Sequence, residues 1–200
     1  MKDIWYADNR DLVKWAILLR LAGNFKAKRI LQIAFYRPSE FKQIEIDGQK
    51  EDIPKDVISY FRDIRNICQM KSMIPVEVFD LVFENRRVYT QKVIKYLSTY
   101  RKERLIVFLD PDTGLEPVKT KHKPEHVLEE EAKEIWEALK LGDVFVFYQH
   151  QTNRRGNEWI NPKKNQLAHA IDLPVKAVKC AYGLKIAKDG VLFYAEKNAK

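Results

Sequence analysis

The residues of this chain whose types and spacing could do chemistry gather at the ends of two apolar runs. In RLIVFLDPDTGLEP, residues 104 to 117, five consecutive apolar residues run into Asp110-Pro111-Asp112-Thr113-Gly114. In VFVFYQH, residues 144 to 150, a second apolar run ends in Tyr148, Gln149 and His150. Two carboxylates at i and i+2 across a proline-stiffened turn are spaced to share a hard cation such as magnesium, which takes one or two carboxylates plus water and substrate phosphate. An ion held by Asp110 and Asp112 would activate water and steady the leaving oxygen of a phosphodiester. His150, an imidazole at the strand end, is the candidate general acid or base, and Gln149 is the candidate for positioning substrate. A plain turn competes with this reading, because Asp and Pro start turns and Gly114 would complete one.

Cations flank both runs. Lys119, Lys121, His122 and Lys123 follow the Asp-Pro-Asp loop, while Arg154, Arg155, Lys163 and Lys164 follow His150. Arg154, Arg155 and Lys164 are the candidate phosphate holders, Tyr148 a further substrate contact, and Trp159 a platform on which a base could stack. At the amino end, Asp11 and Lys14 sit at i, i+3, a spacing that serves either a charge-paired first helical turn or a shared substrate contact. Over the whole chain 36 Lys and Arg face 28 Asp and Glu, a net charge of +8 that favours a polyanionic partner. Nucleic acid is the expected partner, with DNA and RNA both open.

The elements that must position these residues alternate helix and strand. Asp8 or Asn9 caps a helix with Leu12, Trp15, Ala16 and Leu19 on one stripe, stopped at Gly23-Asn24. RILQIAFY reads as a strand, and Ile44 and Ile46 alternate in a short strand before Asp47-Gly48. Pro54 opens a second helix whose apolar face is Val57, Tyr60, Phe61 and Ile64. PVEVFDLVF is a strand, and a third helix turns Val88, Val93, Ile94 and Leu97 inward. RLIVFLD is a strand buried on both faces. After a fourth helix, VFVFYQH, a short last helix and two β-rich runs around Asp189-Gly190 complete the pattern, the dipeptide suiting a tight hairpin. The expected architecture is therefore a single three-layer, Rossmann-like α/β domain over residues 1–200, with a mostly parallel sheet and an antiparallel carboxyl-terminal hairpin. In such a sheet ligands bind beyond the carboxyl ends of the strands where strand order reverses.

Composition sets outer limits. Only two cysteines are present, without metal-ligand spacing, so reduced buried thiols are expected. No apolar run reaches the roughly 18 residues of a membrane helix, and MKDIWYADNRD lacks the apolar core of a secretory signal, so a cytoplasmic protein without a membrane partner is expected.

Residues 104 to 197 resemble the later part of class I S-adenosylmethionine-dependent methyltransferases, whose order of strand, helix, strand, helix and closing hairpin they share. The resemblance implies S-adenosylmethionine as cofactor. Amino-directed members hold the target nitrogen with an Asp/Asn-Pro-Pro-aromatic loop, where this chain has Asp110-Pro111-Asp112-Thr113. The family's glycine-rich turn after the first strand corresponds here to ILQIAFYRPSEF, which contains no glycine. A shorter stretch, residues 75 to 114, resembles the topoisomerase-primase (Toprim) domain, in which a strand ends in Asp-x-Asp and an upstream strand supplies a glutamate for magnesium. Glu77 or Glu84 would be that glutamate. The functional expectation is a magnesium-dependent nuclease or phosphohydrolase acting on nucleic acid. The alternatives are a methyltransferase-like protein and a non-catalytic nucleic-acid-binding module.

Overall fold

Runs such as LIVFL and VFVFY are apolar on both sides of the pleat, so they are stable only as interior strands with helices on both faces. The computed structural model, which describes residues 2–3, 6–40, 42–117, 122–151, 158–183 and 185–199, shows that arrangement. In chain order the elements are α1 (Asn9–Asn24), β1 (Arg29–Ile33), β2 (Gln43–Ile46), β3 (Gln49–Asp52), α2 (Lys55–Arg62), β4 (Val76–Phe79), α3 (Arg86–Leu97), β5 (Leu105–Leu109), β6 (Gly114–Leu115) and β7 (His126–Val127). They continue with α4 (Glu129–Ala138), β8 (Val144–His150), α5 (Ile160–Ala170), β9 (Lys179–Ala181) and β10 (Gly190–Glu196).

Six strands form one sheet in the order β4-β1-β5-β8-β10-β9. The β4, β1, β5 and β8 strands are parallel, and β10 runs antiparallel to both β8 and β9. One face packs on α1: Ile30, Ile106, Phe108, Val144 and Val146 meet Trp15, Leu18, Leu21 and Ala22. The other face, with Leu31, Val107, Leu109, Phe145 and Phe147, packs on α3, α4 and α5 through Tyr89, Val93, Ile135, Trp136 and Leu167. Each of these large side chains contributes roughly 1.5–3 kcal/mol by leaving water. The chain thus has the three-layer α/β architecture with an antiparallel end. Among the described residues no helix is long and apolar enough to cross a membrane.

Several local expectations are corrected. The buried stripe of α1 is Asp11, Lys14, Trp15, Leu18, Leu21 and Ala22, whereas Leu12 is 61% exposed and Ala16 is also exposed. The stripe is rotated because a buried ion pair, which hydropathy counts as surface, belongs to it. On α3, Val88 faces solvent and Tyr89 and Thr90 take the inward positions. The α2 helix buries none of its residues: Val57, Tyr60 and Phe61 are exposed, and Ile64 lies beyond it, the one buried residue of a 3₁₀ turn. Asp189-Gly190 makes no two-residue hairpin turn, since Gly190 begins β10 and β9 ended at Ala181. Cys68 is exposed and Cys180 only partly buried, both as free thiols.

Candidate functional site

From β1 the chain moves outward to β4 and then returns to lay β5 on the other side of β1, so strand order reverses between β1 and β5. That is where a twisted parallel sheet opens a crevice beyond its carboxyl ends. Asp110 stands there, its amide N–H donating to the Ile33 carbonyl at 3.0 Å and so tying the two strand ends together.

The Asp110 side chain is buried. Oδ1 accepts from Lys14 Nζ at 2.9 Å and Oδ2 accepts from Gln32 Nε2 at 2.7 Å. Lys14 also donates to Asp11 Oδ1 at 3.0 Å and lies 4.1 Å from the centre of the Tyr148 ring. Burial alone would push the Lys14 ammonium down, but Asp110 and Asp11 outweigh it and hold its pKa above the ordinary lysine value. For Asp11 burial wins, assisted by the neighbouring Asp110 charge, and its pKa is raised even though Lys14 pulls it down. Burial likewise pushes the Tyr148 hydroxyl up to about 12. The helix start that supplies Lys14 is fixed by Asp8, whose Oδ1 caps the amides of Arg10 at 2.7 Å and Asp11 at 3.0 Å.

Asp112 is turned to different partners. It is ion-paired with Arg37 and accepts from the Lys2 amide at 2.5 Å. Among the described residues no group of three or more His, Cys, Asp or Glu side chains could hold a metal ion. Glu77 sits low on β4, bonded to Arg29, Tyr96 and Tyr100, and Arg29 starts β1, so this glutamate belongs to the amino end of the sheet. Glu84 is exposed beyond the end of β4.

Above Asp110 opens a cleft of about 440 Å³ bordered by Arg10, Lys14, Arg37, Asp112, Tyr148 and His150. His150 Nδ1 and Arg37 Nε are both buried and lack a hydrogen-bond partner among the described residues. The nearest acid to His150 is Asp189, whose Oδ2 lies 3.9 Å from Nδ1. Arg10 grips Asp189 with Nε at 3.1 Å and Nη2 at 2.5 Å. Burial pushes the Asp189 carboxyl up, yet these bonds outweigh it and hold it below the usual range.

The β pleat separates the other expected site residues. Tyr148 and His150 point to the cleft, so Gln149 points to the opposite face, where it is fully buried. Its Oε1 accepts from Leu115 N at 2.9 Å, and its Nε2 donates to the carbonyls of Thr113 at 2.9 Å and His150 at 2.8 Å. Gln149 therefore pins the Asp-Pro-Asp loop from beneath. Trp159 is buried in the core, and Lys164 on α5 is half-buried, neither bordering the cleft. Lys163 is buried, with Nζ donating to Leu115 O at 2.8 Å, and burial pushes its ammonium down to about 8. Arg154, Arg155, Lys119 and Lys121 lie outside the described residues.

Sequence reasoning missed Gln32, Arg37, Arg10 and Asp189. Gln32 had a signal, a lone polar residue inside the otherwise apolar strand core ILQI. Arg37 and Asp189 had none, because what brings them to the rim is strand order.

A second cleft, about 470 Å³, lies on the other side of β1 and is bordered by Tyr36, Ser39, Arg62, Asp63 and Asp80. Asp80 directly follows β4, and Ser39 Oγ is buried without a hydrogen-bond partner among the described residues. Compared with known proteins, the chain matches no family model and no curated protein.

Proposed function

We propose that the cleft above Asp110 is the active site of an enzyme that binds nucleic acid and breaks a phosphoester there. Water attacks phosphorus while His150 takes its proton, the P–O bond to the leaving oxygen breaks, His150 returns the proton to that oxygen, and Arg37 holds the phosphate. The observation that carries this reading is the pair of buried nitrogens, Arg37 Nε and His150 Nδ1, without hydrogen-bond partners at one cleft on the sheet's switch point. An unpaired buried polar group costs about 1–3 kcal/mol, and a bound phosphate oxygen removes that cost. The net charge of +8 adds long-range attraction for a polyanion.

Lys14 and Asp110 make the floor of the site in this reading. Lys14 offsets part of the negative charge of Asp110 and Asp11, both of which it bonds, and its ammonium lies over the ring of Tyr148. Magnesium is not built into the reading, because Asp110 and Asp112 would have to release Lys14 and Arg37 before either could ligate it.

The second cleft favours one rival, a methyltransferase-like protein that takes S-adenosylmethionine. An acid just beyond a strand end, as Asp80 is, suits ribose hydroxyls in sheets of this kind. Asp80 and Ser39 would hold the nucleoside part, and the cofactor would supply the methyl group.

Thermal unfolding with single ligands separates the readings, since whatever prefers the folded state raises the midpoint. A short single-stranded oligonucleotide is expected to raise it for the wild type and to raise it much less for Arg37→Ala. A rise with S-adenosylmethionine that Asp80→Asn abolishes would transfer the assignment to the rival. A metal-dependent rise lost in Asp112→Asn would restore the magnesium site. A rise with oligonucleotide that Arg37→Ala leaves intact would place binding outside the cleft and favour a non-catalytic module.

A further inference from the structure

The segment from β2 to α2 is built as though something else completes it. Among the described residues the β2 and β3 strands pair only with each other, and all eight of their residues are exposed. A lone two-stranded hairpin is marginal in water, and so is a helix as short as α2. Both nevertheless carry apolar side chains in register. Ile44 and Ile46 share one face of the hairpin, 44% and 53% exposed. Val57, Tyr60 and Phe61, at i, i+3 and i+4, form one stripe of α2, with Tyr60 72% and Phe61 66% exposed and their rings edge to face at 5.1 Å. Aligned apolar strips of this kind on a soluble domain mark contact surfaces.

Charge identifies the occupant. Residues 42 to 63 carry six carboxylates, Glu45, Asp47, Glu51, Asp52, Asp56 and Asp63, against four cations, a net −2 in a chain of +8. A nucleic acid strand would be repelled by this arm. The complement is on the same chain: from Arg86 to Lys102, across α3 and the turn after it, there are six cations and no carboxylate. Arg87, Lys92, Lys95, Arg101 and Lys102 are exposed, and Val88, 45% exposed, supplies an apolar contact among them. Arg86 alone is spent internally, on Glu131 at 2.8 Å.

We propose that this arm docks on α3 of a second copy of the chain, its apolar strips covered and its carboxylates set against the α3 cations. A two-fold axis makes the contact twice, arm to α3 and α3 to arm, and closes the assembly at two copies. Like-charged steering toward any other acidic arm is disfavoured, which sets the register.

Sedimentation equilibrium of the full chain tests this. The wild type is expected to sediment at twice its 23.6 kDa mass and to dissociate more readily as salt rises. Tyr60→Ser with Phe61→Ser, both at exposed positions that leave the core untouched, is expected to weaken the dimer by about tenfold or more. Arg87→Glu with Lys95→Glu is expected to do the same, and adding Glu51→Lys with Asp52→Lys to that chain restores association. A wild type that stays monomeric throughout overturns the proposal, as does a dimer indifferent to both sets of changes. A monomer whose Tyr60 and Phe61 crosslink to an added oligonucleotide overturns it in favour of a nucleic-acid surface.

Discussion

Replacing Lys14 with alanine is expected to lower folding stability by roughly 3–5 kcal/mol, the cost of removing one partner from a buried ion pair. The loss is large because Asp110 is buried and would keep only Gln32 as a side-chain partner, while Asp11 would face it without the ammonium between them. Asp110→Asn placed on the Lys14→Met background removes the stranded charge and should recover a good part of the loss. A double-mutant cycle in urea measures that coupling directly. The pH dependence has a definite sign. Lys14 has a raised folded pKa, so its contribution is fully present below the ordinary lysine value of about 10.4 and fades only as pH climbs through the raised value. Asp11, an acid with a raised folded pKa, works the other way across acidic pH: its contribution is greatest below about 3.9 and is lost as pH rises through its folded value. Asp11→Asn should therefore cost less than Lys14→Ala, and should abolish the loss of stability that Asp11 contributes as pH rises across the acidic range.

Gly114→Ala is expected to be as damaging, about 3–5 kcal/mol, at a position that does not border the cleft. Gly114 has φ +108°, a conformation that L side chains rarely adopt. A Cβ there would also fall within 2.6 Å of Gln149 Nε2, inside the buried carboxamide. Gln149 cannot retreat without giving up its bonds to Leu115 N, Thr113 O and His150 O, each a buried group left unsatisfied at about 1–3 kcal/mol. Part of that cost is shared, so in a denaturation cycle Gly114→Ala and Gln149→Ala should be strongly less than additive.

These two positions also show which parts of the molecule the sequence made legible. The all-apolar runs LIVFL and VFVFY could only be interior parallel strands, and from them the layered sheet and the place of Asp110 followed. Gly114 and Gln149 were visible as residues of interest, but their roles were not. The pleat turns Gln149 away from His150 and puts it under the loop, where it serves structure. Lys14 was read beside Asp11 as a local pair, which it is. Its bond to Asp110, 96 residues away in sequence, depends on how α1 lies over β5 and leaves no local mark. Hydropathy went astray on α1 for the same reason, treating a buried ion pair as a solvent face. On α2 it went astray in the opposite sense, since periodicity reports that a face is apolar and says nothing of what covers it.

The central claim is that the cleft above Asp110 performs phosphoester chemistry with His150 as the proton-moving group. The measurement that meets it most directly is cleavage of end-labelled single-stranded RNA and DNA by the wild type and by His150→Ala, each with magnesium and with a chelator. Cleavage is expected to persist in chelator and to fall by about 100-fold or more in His150→Ala, the scale on which general acid–base catalysis operates. Cleavage unchanged in His150→Ala, or no cleavage by the wild type under any of these conditions, would contradict that claim.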